Sequence, residues 1–131
     1  MIGIDTNVIV RFILQDDVHQ SKLANKFIEG LSDRNPGFLP LVCLTELVWV
    51  LESFYAFERR QVVEVLSSLV GNADLKLERP LVVAAALQLF KNGKADFADC
   101  LIERSSAIAG CERTMTFDRA AARAANMVLI Q

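Results

Sequence analysis

Short stretches that read as strands, at residues 1–4, 37–39, 75–77, 113–116 and 127–130, alternate with longer stretches whose apolar residues recur at helical spacing. Strands separated by helices cannot fold as hairpins. Each helix carries the chain back across the sheet, so the strands run parallel and helices cover both faces. The expectation is an α/β fold with one parallel β-sheet. Local signals place the helices. Asp5 precedes a helix over 7–14, and Asp16 or Asp17 caps one running to about residue 31, with Leu23, Phe27, Ile28 and Leu31 at helical spacing. Helices follow over 41–54 and 58–69, and Pro80 falls near the first turn of the next, which ends at Asn92 and Gly93. Asp96 starts a helix that Gly110 stops, and Asp118 caps a short last one.

A chain of 131 residues without repeat, low-complexity tract or linker reads as one domain over 1–131, large enough to bury a core without staples. Hydrophobic residues make up 53% and mean hydropathy is +0.32, so apolar surface is expected to meet a second subunit, from the helices over 41–54 and 58–69. Cys43, Cys100 and Cys111 are odd in number and form no Cys-x-x-Cys pair, which reads as buried free thiols in a reducing compartment. No basic segment precedes the first apolar run. The longest apolar stretch, 38–51, is broken by Pro40, Thr45 and Glu46 and is too short for a bilayer. A cytoplasmic protein without a membrane partner is expected.

In open parallel sheets the working site lies at the carboxyl ends of the strands. Asp5 and Asp118 fall there. Both have a structural alternative as helix caps, and Asp96 with Asp99 has one as a cap and its first-turn partner. Glu46 differs, because Leu41, Val42, Cys43, Leu44, Leu47, Val48, Trp49, Val50 and Leu51 make its helix apolar nearly all round. Such a helix reads as buried, and a lone buried carboxylate costs several kcal/mol unless it is paired or metal-bound. A salt bridge or a rim position is the alternative for Glu46.

Taken together, Asp5, Glu46, Asp99 and Asp118 would repel one another unless a divalent cation sits among them. Oxygen donors without a His or Cys set select Mg²⁺ or Mn²⁺, and His19, in a polar stretch, reads as surface. One ion, or two roughly 4 Å apart, would activate water for in-line attack on a phosphodiester. No nucleophile with an adjacent base stands out. The formal net charge of −2 and pI of about 5.4 argue against a nucleic-acid partner taken alone, but bound cations offset local negative charge.

Four segments make the chain recognisable: Ile4-Asp5-Thr6-Asn7-Val8-Ile9-Val10, the isolated Glu46, Asp96-Phe97-Ala98-Asp99-Cys100-Leu101-Ile102 and Thr116-Phe117-Asp118. In this order and spacing they resemble PIN domains, above all the VapC-type toxins of prokaryotic toxin–antitoxin pairs. The resemblance implies a Rossmann-like parallel sheet, a Mg²⁺- or Mn²⁺-dependent endoribonuclease acting on RNA, a homodimer and inhibition by a small VapB-like antitoxin. It carries the acidic set onto Asp5, Glu46, Asp99 and Asp118, with Asp96 as an extra acid and Thr6, Asn7 and Thr116 as supporting polar residues. Cys100 stands where the family commonly has Ala; cysteine is also small and apolar. Arg11, Lys91, Lys94, Arg104, Arg119 and Arg123 are the candidates to grip RNA, with Arg11, Lys94 and Arg119 put forward.

Three rival readings remain. A phosphoacceptor receiver domain shares the length and the alternation, but wants adjacent acids after the first strand and a lysine after the last; Thr6 follows Asp5, and residues 127–131 contain no lysine. A non-catalytic PIN scaffold has no need of all four acids. A structure-specific DNA nuclease could use the same cluster.

Overall fold

The computed structural model describes residues 1–131. Parallel strands alternate with helices: β1 (Ile2–Gly3), α1 (Thr6–Leu14), α2 (Val18–Glu29), β2 (Gly37–Leu39), α3 (Leu41–Phe54), α4 (Arg59–Val70), β3 (Leu75–Leu77), α5 (Pro80–Asn92), α6 (Phe97–Ile108), β4 (Met115–Thr116), α7 (Arg119–Ala124) and β5 (Val128–Leu129). This is the expected α/β class. The strands form two hydrogen-bonded ladders, and the chain comprises two compact units, Met1–Glu78 and Arg79–Gln131.

In the first unit the strand order is β1-β2-β3, all parallel, with Ile2 opposite Gly37 and Leu39 opposite Leu77. Gly37 is required by close approach: a Cβ there would lie 2.6 Å from Ile4 Cδ1 and 2.9 Å from Leu31 Cδ1. Asp5, in extended conformation, starts α1 by accepting from the Thr6 N–H, and Gln15 ends it at φ 56°, donating its N–H to Arg11 O. Asp17, rather than Asp16, caps α2 through the Gln20 N–H at 2.8 Å. Pro40 cannot cap α3 with a side chain, and Glu78 beyond β3 supplies the acceptor, taking the Leu41 N–H at 2.8 Å. Leu39, Leu44, Leu47, Leu51, Val62 and Leu66 form the centre of this core.

The faces of α2 and α3 that meet the core are narrower than their apolar patterns suggest. On α2 the buried stripe is Ser21, Ala24 and Ile28, continued by Leu31, while Leu23 is 57% exposed. Successive residues turn by about 100° around a helix, so Leu23 falls outside the stripe that runs through Ala24. On α3 only Cys43, Leu44, Leu47, Val48 and Leu51 are buried; Val42 is 63% and Trp49 59% exposed. A helix packed from one side buries one stripe whatever the composition of its outer face. Glu46 lies on that outer side and is exposed.

In the second unit Pro80 occupies the first turn of α5, behind Arg79 in left-handed conformation at φ 51°. Helices α5 and α6 pack together, their core marked by an edge-to-face pair of Phe90 and Phe97 with centroids 5.6 Å apart. Asp96 caps α6 by accepting from the Ala98 N–H at 2.9 Å. Strands β4 and β5 pair in parallel across α7, Met115 opposite Val128 and Thr116 opposite Leu129. Cys43 and Cys100 are buried thiols outside any disulfide, but Cys111 is exposed, because it follows the left-handed Gly110 that terminates α6. No helix is long and apolar enough to cross a membrane.

Candidate active site

Asp5 leaves β1 directly into the first turn of α1, so its capping role fixes its carboxylate at the strand end. Its Oδ1 accepts from the Thr6 N–H at 2.8 Å. The Thr6 side chain works in a second direction, its Oγ1 donating to Glu46 Oε1 at 2.8 Å. One residue therefore holds both carboxylates, each through one oxygen. Asp5, Thr6, Asn7 and Glu46 border a hollow of about 530 Å³. Glu46 reaches it from the exposed side of α3, which corrects the expectation of a buried carboxylate.

Arg11, one turn past Asn7, lines the same hollow. Its Nε donates to Gln20 Oε1 at 2.8 Å and its Nη1 to Asp16 Oδ1 at 3.0 Å, while the Tyr55 hydroxyl donates to Asp16 Oδ2 at 2.8 Å. The Tyr55 hydroxyl, its own backbone N–H and Arg11 hold the Asp16 carboxyl below the usual carboxylate range. Hydrogen bonding to Tyr55 and Asp16 raises the Arg11 guanidinium above its ordinary value. These contacts were not legible in the sequence. Nothing local links Tyr55, after the end of α3, to Asp16, 39 positions earlier.

In the second unit, Asp118 caps α7, accepting from the Ala120 and Ala121 N–H groups at 2.8 and 3.2 Å. Its own N–H donates to Thr116 Oγ1 at 3.0 Å, so the strand-end threonine fixes the backbone that presents the acid. Asp99 sits in the first turn of α6, half-buried, three residues after the capping Asp96. Burial first, then the negative charges of Asp96 and Asp118, push the Asp99 carboxyl above its ordinary value. The three acids thus share one electrostatic field. Lys94, Arg119 and Arg123 are exposed nearby in sequence, and Lys91 ends α5.

Arg104, like Arg11, is already paired with a carboxylate: Glu103 takes its guanidinium through Nε and Nη2. Glu103 is a buried charged residue that did not stand out in the sequence; the only local signal is the apolar run Cys100-Leu101-Ile102 before it, one turn beyond Asp99.

Asp5 and Glu46 are thus gathered in the first unit, and Asp96, Asp99 and Asp118 in the second. No group of three His, Cys, Asp or Glu side chains is drawn together tightly enough to enclose an ion. The donor chemistry nevertheless fits a hard divalent cation. The donors are carboxylate oxygens in partly solvated settings, and Asp99 shows the charge crowding that a cation relieves.

The chain resembles known proteins over most of its length. The chain is 26% identical, over 117 residues, to a protein of Aquifex aeolicus (strain VF5) named VapC ribonuclease, an alignment covering 88% of this chain and 86% of that protein. The PIN domain family model matches residues 2–127. With the match running through both units and all the candidate acids, the chain belongs to the PIN domain family.

Proposed function

We propose that this chain, as one nuclease domain over its whole length, is a divalent-metal-dependent endoribonuclease and the toxin of a VapBC-type pair. The observation that carries the reading is the pair Asp5 and Glu46, both held by Thr6 at the edge of one hollow, in a chain of the PIN domain family. The ribonuclease name of the Aquifex relative supports RNA as substrate and a VapB-like antitoxin as partner.

Asp5, Glu46, Asp99 and Asp118 would hold one or two Mg²⁺ or Mn²⁺ ions. When bound, these supply an activated water and steady the leaving oxygen of a phosphodiester. The chain's own residues do the positioning. Thr6 orients Asp5 and Glu46 together, and Thr116 anchors the backbone of Asp118. Asp96 gives its carboxylate to the α6 cap, leaving Asp99 as the ligand and Asp96 as added negative charge beside it. Asn7 offers an amide at the rim of the hollow. Arg11, Lys94 and Arg119 are assigned to RNA phosphates, where their charge offsets the acidic balance of the chain.

The protein is further proposed to act as a homodimer in the cytoplasm. Val42 on α3, 63% exposed, and Val70 on α4, 41% exposed, are apolar surface suited to a second copy. Cys43 and Cys100, buried and outside any disulfide, suit a reducing compartment.

Cleavage assays test the core of this reading. The purified protein is expected to cut RNA with Mg²⁺ or Mn²⁺ and to stop in chelator. Single-stranded RNA, structured RNA and flapped DNA compared side by side separate a ribonuclease from a DNA nuclease. Failure to cut any of them under divalent ions refutes the enzyme and leaves a scaffold.

A further inference from the structure

The hollow beside Asp5 and Glu46 continues along α3 onto Val50, Phe54 and Tyr55. Glu46, Val50 and Phe54 are spaced i, i+4 and i+8, so they stand on successive turns and span roughly 12 Å of helix. The hollow is therefore acidic at one end and aromatic at the other. Its volume of about 530 Å³ is ample for one nucleotide.

The aromatic end is preorganised. The Tyr55 hydroxyl is tied to Asp16, which Arg11 also holds. Phe54 is braced by an edge-to-face contact with Trp49, centroids 5.2 Å apart at 82°. Even so, Phe54 is 68% and Tyr55 39% exposed. Two rings fixed in place but left open to solvent gain little for folding. They suit a flat partner that stacks on an aromatic face, and every nucleobase has such a face.

We infer that this hollow is a nucleobase subsite, in which one unpaired base of single-stranded RNA stacks on the Tyr55 and Phe54 rings beside the carboxylates. The inference rests on the ribonuclease reading and adds a substrate class to it. A base inside a paired A-form helix must first unpair and unstack, at a cost of about a few kcal/mol, to enter the hollow, so single-stranded segments are preferred. Arg11, lining the same hollow, places a cation where the backbone of the bound nucleotide enters. The aromatic walls read the base, and the acids meet the phosphodiester.

The test uses the full chain and a short single-stranded oligoribonucleotide containing 2-aminopurine, whose fluorescence falls on stacking. Wild-type protein is expected to quench it, in chelator as well as with Mg²⁺. Phe54→Ala and Tyr55→Ala should lose the quenching and raise KM for cleavage about ten-fold, the scale of one lost base–aromatic stack, with kcat at saturation largely kept. Tyr55→Trp and Phe54→Tyr, which keep a ring, should restore both. Both positions are solvent-accessible, so circular dichroism should show intact folding. If wild-type protein cleaves RNA but neither quenches the probe nor changes KM on loss of the rings, the subsite is refuted while the nuclease stands; the rings then serve another partner. If no RNA is cleaved under any divalent ion, the ribonuclease reading falls, and this inference with it.

Discussion

Thr6 Oγ1 donates to Glu46 Oε1 at 2.8 Å, joining the first turn of α1 to the exposed side of α3 across 40 positions of sequence. The same residue donates its backbone N–H to Asp5. Glu46 is solvent-exposed, with no packing of its own to hold it, so this hydrogen bond defines its orientation toward the hollow. Residues that orient metal-binding carboxylates commonly change metal affinity or activity by about 10–100-fold when removed. Thr6→Val is therefore expected to reduce RNA cleavage by at least about ten-fold. Thr6→Ser keeps the hydroxyl and should retain most activity. Because the contact is at the surface, thermal stability should change little, by about 0.5 kcal/mol or less. Cleavage rates of the two variants over a Mg²⁺ titration decide it, and equal activity of Thr6→Val and wild type would show that Glu46 needs no such support.

The capping chemistry behind this arrangement was legible in the sequence. Asp5, Asp96 and Asp118 could be placed at helix starts because a cap depends on a few consecutive residues, and each accepts a first-turn N–H as expected. The bounds of α3 and β3 were legible for the same local reason, Pro40 before one and short apolar alternation in the other. Which side of a helix meets the core is a different question. Val42, Trp49 and Leu23 are apolar and exposed, and Glu46 is exposed among apolar neighbours, because packing partners come from distant segments. The Tyr55–Asp16–Arg11 contacts are hidden from sequence reading for that reason too.

Asp99 gives a pH-dependent prediction with a definite sign. Its carboxyl is raised in the folded protein, by burial and by Asp96 and Asp118. Without a metal, the folded state therefore binds this proton more tightly than the unfolded chain does. Its contribution favours folding below the unfolded-chain value of about 3.9 and is lost as pH rises through the higher folded value. At neutral pH the ionised group is a liability. Asp99→Asn should accordingly melt at an equal or higher temperature than wild type in chelator at pH 7. The advantage should shrink as the pH falls toward that of a free carboxylate. Thermal melts of both proteins across pH provide the measurement, and a variant markedly less stable at pH 7 contradicts the charge-crowding account.

Self-association gives an independent check. Val42 and Val70 are exposed apolar side chains on α3 and α4, outside the buried stripes of both helices. A dimer is expected by light scattering at micromolar concentration. Val42→Glu should shift it toward monomer without loss of helical content, since residue 42 contributes nothing to the core. A wild-type monomer across that concentration range removes the dimer from the proposal.

The two acids at the start of α6 should separate in function. Asp96 Oδ1 accepts the Ala98 N–H at 2.9 Å, so one of its oxygens is committed to the backbone. Asn caps a helix about as well as Asp, and Asp96→Asn should keep α6 intact. Asp99 is three residues on, where the carboxylate is half-buried and crowded by Asp96 and Asp118. Neutralising Asp96 removes one neighbouring charge, whereas neutralising Asp99 removes the group on which that charge converges. Asp99→Asn is therefore expected to abolish cleavage and most Mg²⁺ or Mn²⁺ binding, and Asp96→Asn to reduce activity only in part. Single-turnover kinetics and metal titration on both variants distinguish them. If Asp96→Asn proves the more damaging while α6 remains folded, the roles of ligand and cap belong the other way round.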